Sequence, residues 1–277
     1  HLPLITKFKN LLNMSKSKIS NNYLPILEDF VKNGGMELLI KSGYDQGPFI
    51  PYVFENYEKA PVKIVYCGID TYYWTHLEDL KNAIDEDKID VYLTINKDAM
   101  NADKVFDWGN TCSFWGTVAR LQLMIRTGKY YEDITNISKK EVEIIKEVGY
   151  SNLNSLELPK TFNKREGESC ANESYNKASI LAKSFTSIKT LLDSYEPDYI
   201  FILTWSDKDE VFEGLERFFE EKYYEESFRS VFSIKNYKTK IIWSTHPSRY
   251  RFLGTNMEEM VKYLYDSYQK VHNNDSI

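Results

Sequence analysis

The stretch Tyr199 to Trp205, YIFILTW, allows few folds. It is almost continuously apolar, the mark of a strand covered on both faces. A second run, Lys63-Ile64-Val65-Tyr66-Cys67, is β-branched and aromatic and reads the same way. Strands of this kind belong to sheets with helices packed against them. Helical spacing recurs between such runs. It is carried by Leu24, Ile26, Leu27, Phe30 and Val31 before Gly34-Gly35, and by Phe114, Val118, Leu121 and Ile125. Leu181, Phe185, Ile188 and Leu192 repeat it before Pro197. Alternating helix and strand predicts an α/β chain: a three-layer α/β/α domain around a central, mostly parallel sheet of four to five strands.

The other segments fill in this plan. Residues 4–14, Leu77 to Ile84, Lys139 to Val148 and Met257 to Val271 read as helices, and Val148 to Ser151 as a strand ending at Asn152. Val211, Leu215, Phe218 and Phe219 predict an amphipathic helix with a solvated, Glu-rich outer face. Val231 to Ile234 and Ile241 to Trp243 predict a hairpin or two neighbouring strands. Val91 to Ile95 reads as a strand or as part of a polar insertion. Gly43 to Pro61 and residues 154–176 read as loops. Residues 1–60 are expected to form a helical extension packed on a main domain of residues 61–277.

At 42% hydrophobic and 27% charged, the 277-residue chain has the composition of an ordinary globular protein. A net charge of −6 argues against a broad nucleic-acid surface, while leaving room for a local basic footprint. Cys67, Cys112 and Cys170 lie too far apart for a zinc or iron–sulfur site built from cysteine, so no metal and no cofactor is expected. No apolar run reaches the length of a membrane span, and His1-Leu2-Pro3 does not open a signal peptide. A cytoplasmic location is expected.

The chemistry concentrates at two places. Gly68 frees the backbone at the carboxyl end of the first strand, where parallel sheets bind ligands, and Asp70 follows beside Tyr72, Tyr73 and Trp74. An acid among ring faces suits a flat ligand whose reaction develops positive charge; the plainer role for Asp70 is a helix N-cap. The second place is Ile241 to Phe252, where His246 precedes Pro247 and Ser248, with Arg249 and Arg251 close behind.

Four features in this order resemble the uracil-DNA glycosylase superfamily. Gly68-Ile69-Asp70-Thr71-Tyr72-Tyr73 resembles its water-activating Gly-x-Asp-Pro-Tyr motif, with Thr71 at the place of Pro. Phe114-Trp115-Gly116, opening a helix, is similar to the Phe-x-Gly element whose ring stacks on the flipped base. Asn152 ends a strand where the superfamily has a base-reading Asn, and Thr245-His246-Pro247-Ser248 resembles its His-Pro-Ser motif. The helix, Pro-Asp and apolar strand within Ser184 to Leu203 also fit the layout. The likeness runs over roughly residues 61–254, without the iron–sulfur cysteines of some branches.

The resemblance implies a uracil-DNA glycosylase-like domain and a DNA-repair enzyme that flips uracil or a related modified pyrimidine out of DNA and hydrolyses its N-glycosidic bond. It implies that Asp70 orients water and that neutral His246 donates to the O2 of the leaving base. Asn152 reads the base, and Gly68, Ile69, Phe114 and Tyr72 shape its pocket, with Tyr72 set against a 5-methyl group. Ser248, Arg249 and Arg251 contact phosphate, and Phe252-Leu253 enters the base stack as a wedge. Plainer roles stay open: core packing for Phe114, a turn for Asn152 and for His246, solvated arginines and a buried Phe-Leu pair. The expected partner is DNA, with no membrane and no metal, bound by a monomer. A non-catalytic nucleotide- or nucleic-acid-binding protein on the same fold is the alternative.

Overall fold

The computed structural model describes residues 22–69, 75–85, 92, 112–156, 172–204, 209–222 and 228–274. Along the chain run α1 (22–32), α2 (Gly35–Ser42), β1 (Tyr52–Val53), β2 (Ile64–Gly68), α3 (Leu77–Asp85), α4 (Ser113–Thr127) and α5 (Lys139–Ile145). They continue with β3 (Val148–Asn152), α6 (Glu173–Leu181), α7 (Ile188–Tyr195), β4 (Tyr199–Leu203), β5 (Arg217–Lys222), β6 (Phe228–Ile234), β7 (Lys240–Ser244) and α8 (Met257–Asn274). Residues 4–14, Val91 to Ile95 apart from Tyr92, and 154–176 apart from its ends lie outside the described residues. The chain divides into two compact units, one from 1–50, 70–96 and 154–195, the other from 51–69, 97–153 and 196–277.

The first unit is helical. Phe30 of α1 packs edge-on against Phe185 at 5.7 Å, and Tyr44 against Tyr175 of α6 at 4.9 Å. An extended segment is strapped down beside them by its own backbone. The Gly47 N–H donates to the Thr75 carbonyl (3.1 Å), the Thr75 hydroxyl returns a bond to the Gly47 carbonyl (2.6 Å), and the Phe49 N–H reaches Ser155 (2.8 Å).

The second unit holds one seven-stranded sheet in the order β1-β3-β2-β4-β7-β6-β5. β3, β2, β4 and β7 are mutually parallel, and their residues are buried apart from Lys240. Tyr66 of β2 stacks on Phe201 of β4 at 5.3 Å. β1 is added antiparallel to β3, and a β5–β6 ribbon antiparallel to β7. The expected four to five mostly parallel strands are therefore corrected to a mixed sheet of seven, and the uracil-DNA glycosylase-like sheet is not what the chain forms.

The extra strands come from two stretches whose local pattern pointed elsewhere. Tyr52–Val53 is only two residues long and sits in a Pro-rich segment that reads as loop. Arg217–Lys222 carries helical spacing, yet Gly214, at φ +76°, turns the chain after a short 3₁₀ turn at Asp209–Phe212. The segment then finds β6 as a partner, and side chains that would share a helix face alternate across a strand. Phe219 packs on Phe232 at 5.5 Å, while Phe218 and Phe219 stay 49% and 46% exposed. Glu213, Glu216 and Glu220 stay exposed, with Glu216 paired to Lys235 and Glu220 to Lys240.

α4 lies deeper than its single apolar stripe suggests. Phe114 through Met124 are all buried, so the helix is enclosed on every side over that length. The Arg120 guanidinium is buried with them and donates to the carbonyls of Gly116 (3.2 Å) and Glu132 (2.8 Å). Gly128 in the left-handed region (φ +72°) ends the helix by returning its N–H to Met124. No helix among the described residues is long and apolar enough to cross a membrane.

Candidate functional site

The chain leaves β2 to one side to make β3 and returns on its other side to make β4, so the strand order reverses at β2. Open sheets bind ligands at such a switch point, off the carboxyl ends of the strands. Gly68 ends β2 and Asn152 ends β3, opposite each other in the parallel register. The Leu153 N–H closes the ladder on the Gly68 carbonyl at 2.9 Å.

Gly68 is required by its neighbours. A β-carbon there would lie 2.8 Å from Asn152 Oδ1, 3.2 Å from the Tyr150 hydroxyl and 3.4 Å from Phe114 Cε2. The three side chains converge where a side chain of residue 68 would otherwise stand. Asn152 is fully buried. The Tyr150 hydroxyl donates to its Oδ1 at 2.6 Å, and its Nδ2 has no hydrogen-bond partner among the described residues. A buried amide nitrogen without an acceptor carries a desolvation penalty on the order of 1–3 kcal/mol. Such a group is a standing invitation to an acceptor from a ligand or water.

Aromatic rings wall this place. Phe114, in the first turn of α4, meets Tyr150 at 5.5 Å and Trp115 at 5.3 Å, both edge-on. Tyr150 lies 4.8 Å from Trp115. The Phe114 ring is nearly parallel to the His246 imidazole, with planes at 21° and centroids 6.1 Å apart.

His246 follows β7 and caps the 3₁₀ turn Pro247–Leu253. Its Nδ1 accepts from the Ser248 backbone N–H (3.2 Å) and faces the Ser248 hydroxyl at 2.8 Å. A backbone N–H can only donate, so Nδ1 keeps its lone pair and the proton of the neutral ring sits on Nε2. Burial, with the Arg249 guanidinium adding to it, lowers the imidazole pKa to about 4. At neutral pH the ring is an uncharged Nε2–H donor. Such a donor stabilises negative charge as it develops.

Beyond the cap the turn faces water. Tyr250 is buried and anchors it, whereas Ser248, Arg249 and Arg251 are exposed. Phe252 is 89% exposed, which leaves a whole aromatic ring in solvent beside two arginines. The reading of Phe252-Leu253 as a buried pair is thus corrected for Phe252; Leu253 is half-buried.

Of the residues singled out in the sequence, Gly68, Phe114, Asn152 and His246 belong to this constellation, with half-buried Ile69 next to Gly68. Ser248, Arg249 and Arg251 form the exposed turn that His246 caps. Asp70 and Tyr72 lie outside the described residues. Tyr150 was missed, although a strand's period of two puts it on the same face as Asn152. Cys67, beside the site, is no nucleophile: burial pushes its thiol up to about 12 against the opposing hydrogen bond from Ser151. Among the described residues no three His, Cys, Asp or Glu side chains gather as a metal site would need. No protein-family model matches the chain, and no curated protein matches it in sequence.

Proposed function

We propose that this protein is a DNA glycosylase that hydrolyses the N-glycosidic bond of uracil or a related modified pyrimidine. The observation that carries the reading is the buried Asn152 amide, its Nδ2 without an acceptor among the described residues, beside the Phe114 and His246 rings. A flipped pyrimidine supplies what such a place lacks: a carbonyl for the amide and a flat face for the rings. The order of the four sequence motifs supports the same reading.

In this mechanism the sugar develops oxocarbenium character while electrons flow onto the base. Asp70 offsets the positive charge and orients the attacking water. The Nε2–H of neutral His246 donates to the O2 of the leaving base, and Asn152 holds the opposite edge. Ser248, Arg249 and Arg251 contact the DNA backbone, and Phe252 fills the gap that the flipped base leaves.

The test is an excision assay on single- and double-stranded oligonucleotides containing uracil, followed by hot alkali. The wild type should give strand cleavage; Asp70→Asn and Asp70→Ala should fold normally and give none. Full activity in both variants removes Asp70 from the mechanism. Binding without cleavage by the wild type supports the non-catalytic reading instead.

A further inference from the structure

We propose that the helical unit holds a second ligand site, at the buried amide of Gln46, for a neutral flat heterocycle that carries a ring carbonyl. The site goes beyond the glycosylase reading, and no residue given a part in that reaction belongs to it.

Gln46 lies in the extended segment that follows α2. Asp45, just before it, is exposed and turned towards the start of α3, where its carboxylate accepts from the Leu77 N–H (3.1 Å) and faces His76 Nδ1 (3.1 Å). Neighbours in an extended chain point opposite ways, so Tyr44 and Gln46 turn inward together. Gln46 is 3% exposed. The Tyr175 hydroxyl donates to its Oε1 at 2.5 Å, whereas its Nε2 has no hydrogen-bond partner among the described residues.

Both partners are held in place. The Asn172 Nδ2 donates to the Ser42 carbonyl (2.8 Å) while its Oδ1 accepts from the Tyr175 N–H (3.0 Å). One residue thus joins the segment before Gln46 to the turn of α6 that carries Tyr175. With Oε1 engaged by the phenol, the amide cannot turn end for end without giving up that bond. Gln122 offers a contrast. Its Nε2 is likewise without a partner among the described residues, yet it lies in the enclosed length of α4, and the ring bonded to its Oε1, Tyr66, is fully buried. Beside Gln46, Tyr44 is only half-buried, and its ring meets Tyr175 edge-on at 4.9 Å. A ligand that lies along that ring comes to the amide from solvent.

The chemistry of the place sets the class of ligand. An amide nitrogen carries two N–H donors, and donors without an acceptor call for an oxygen with lone pairs turned towards them. An anion there would be buried against neutral donors, at far greater cost than a carbonyl. The rings of Tyr44 and Tyr175 offer faces and edges that suit a flat partner better than an aliphatic one. An oxo-pyrimidine or oxo-purine meets all of these conditions.

The chain has three glutamines, Gln46, Gln122 and Gln269, so protein labelled with ¹⁵N in the glutamine side chains gives few amide signals, and Gln46→Asn identifies those of Gln46. Thymidine, toluene and benzoate are titrated separately into the labelled wild type. Thymidine should shift the Gln46 Nε2 protons and leave those of Gln122 in place. Toluene, which has no acceptor, and benzoate, which is charged, should shift neither. The same titration on Tyr175→Phe, which removes only a hydroxyl and whose folding melting curves check, should give a thymidine dissociation constant about tenfold weaker or more. No shift at Gln46 with thymidine, or the same shift with toluene, makes a water the partner of the amide and overturns the proposal. A larger shift with benzoate than with thymidine overturns the neutral ligand, and unchanged affinity in Tyr175→Phe overturns the fixed amide. Uracil excision is read in its own assay, so each reading stands or falls without the other.

Discussion

In the parallel register of the sheet Gly68 stands opposite Asn152, and a β-carbon at position 68 would lie 2.8 Å from the Asn152 Oδ1. The nearest obstacle is thus a buried amide already bonded to Tyr150, and two further side chains crowd behind it. The smallest possible enlargement must displace a group that the proposed reaction would use.

Gly68→Ala should therefore lower uracil excision at least about 100-fold while costing about 1–3 kcal/mol of stability, the usual range for overpacking. Single-turnover excision and urea unfolding of the same preparation measure the two effects. Near-wild-type excision would show that the convergence at Gly68 has no part in the reaction.

His246 should leave a signature in stability against pH. An unfolded histidine titrates near 6.5, whereas in the fold burial and Arg249 bring the imidazole to about 4. Between those values the unfolded chain holds more protons, so stability falls as pH drops from about 6.5 to about 4 and is flat with respect to this group above 6.5. Melting temperatures from pH 7 to pH 4.5 should fall more steeply for the wild type than for His246→Gln. Parallel curves would contradict a neutral imidazole.

Phe252→Ala removes a ring that is 89% exposed, so stability should stay within about 0.5 kcal/mol. Excision from duplex DNA should nonetheless fall about tenfold or more, and excision from single strands much less, because only the duplex has a stack to open. Equal effects on both substrates would rule out the wedge.

Arg249 and Arg251 form a positive spot on a chain of net charge −6. If both contact phosphate, the double variant Arg249→Ala, Arg251→Ala should flatten the plot of log affinity for DNA against log salt by roughly 2. Fluorescence anisotropy at several salt concentrations gives the slope. An unaltered slope would return both arginines to solvent.

The sequence was most legible where one residue type has one physical use. Ile64–Gly68 and Tyr199–Leu203 are strands because apolar runs of that length need cover on both faces, and both are found close to their expected bounds, as is the more polar Val148–Asn152. The helix of Phe114, Val118 and Leu121 is equally plain. Arg217–Lys222 was misread because its spacing fits a helix, while its structure is decided by pairing with Phe228–Ile234, which pairs in turn with Lys240–Ser244. The site follows the same division. Gly68, Asn152 and His246 are legible from strand ends and short motifs, whereas Tyr150 acquires meaning only once its hydroxyl is seen on the amide. Likewise, no periodicity foretells that Phe252 faces water while Tyr250, two residues earlier, is buried.

The place of β7 in the sheet sets an order of assembly. β5 and β6 precede it in the chain, yet within the sheet they reach β4 only through β7. On the ribosome, β5 and β6 cannot take their places in the sheet until Lys240 to Ser244 emerges and enters between β4 and β6. The same insertion carries His246 to the carboxyl edge, two residues beyond Ser244. Completion of the sheet and arrival of the imidazole are thus a single late event, and a nascent chain has no assembled site until its last strand is laid in the interior.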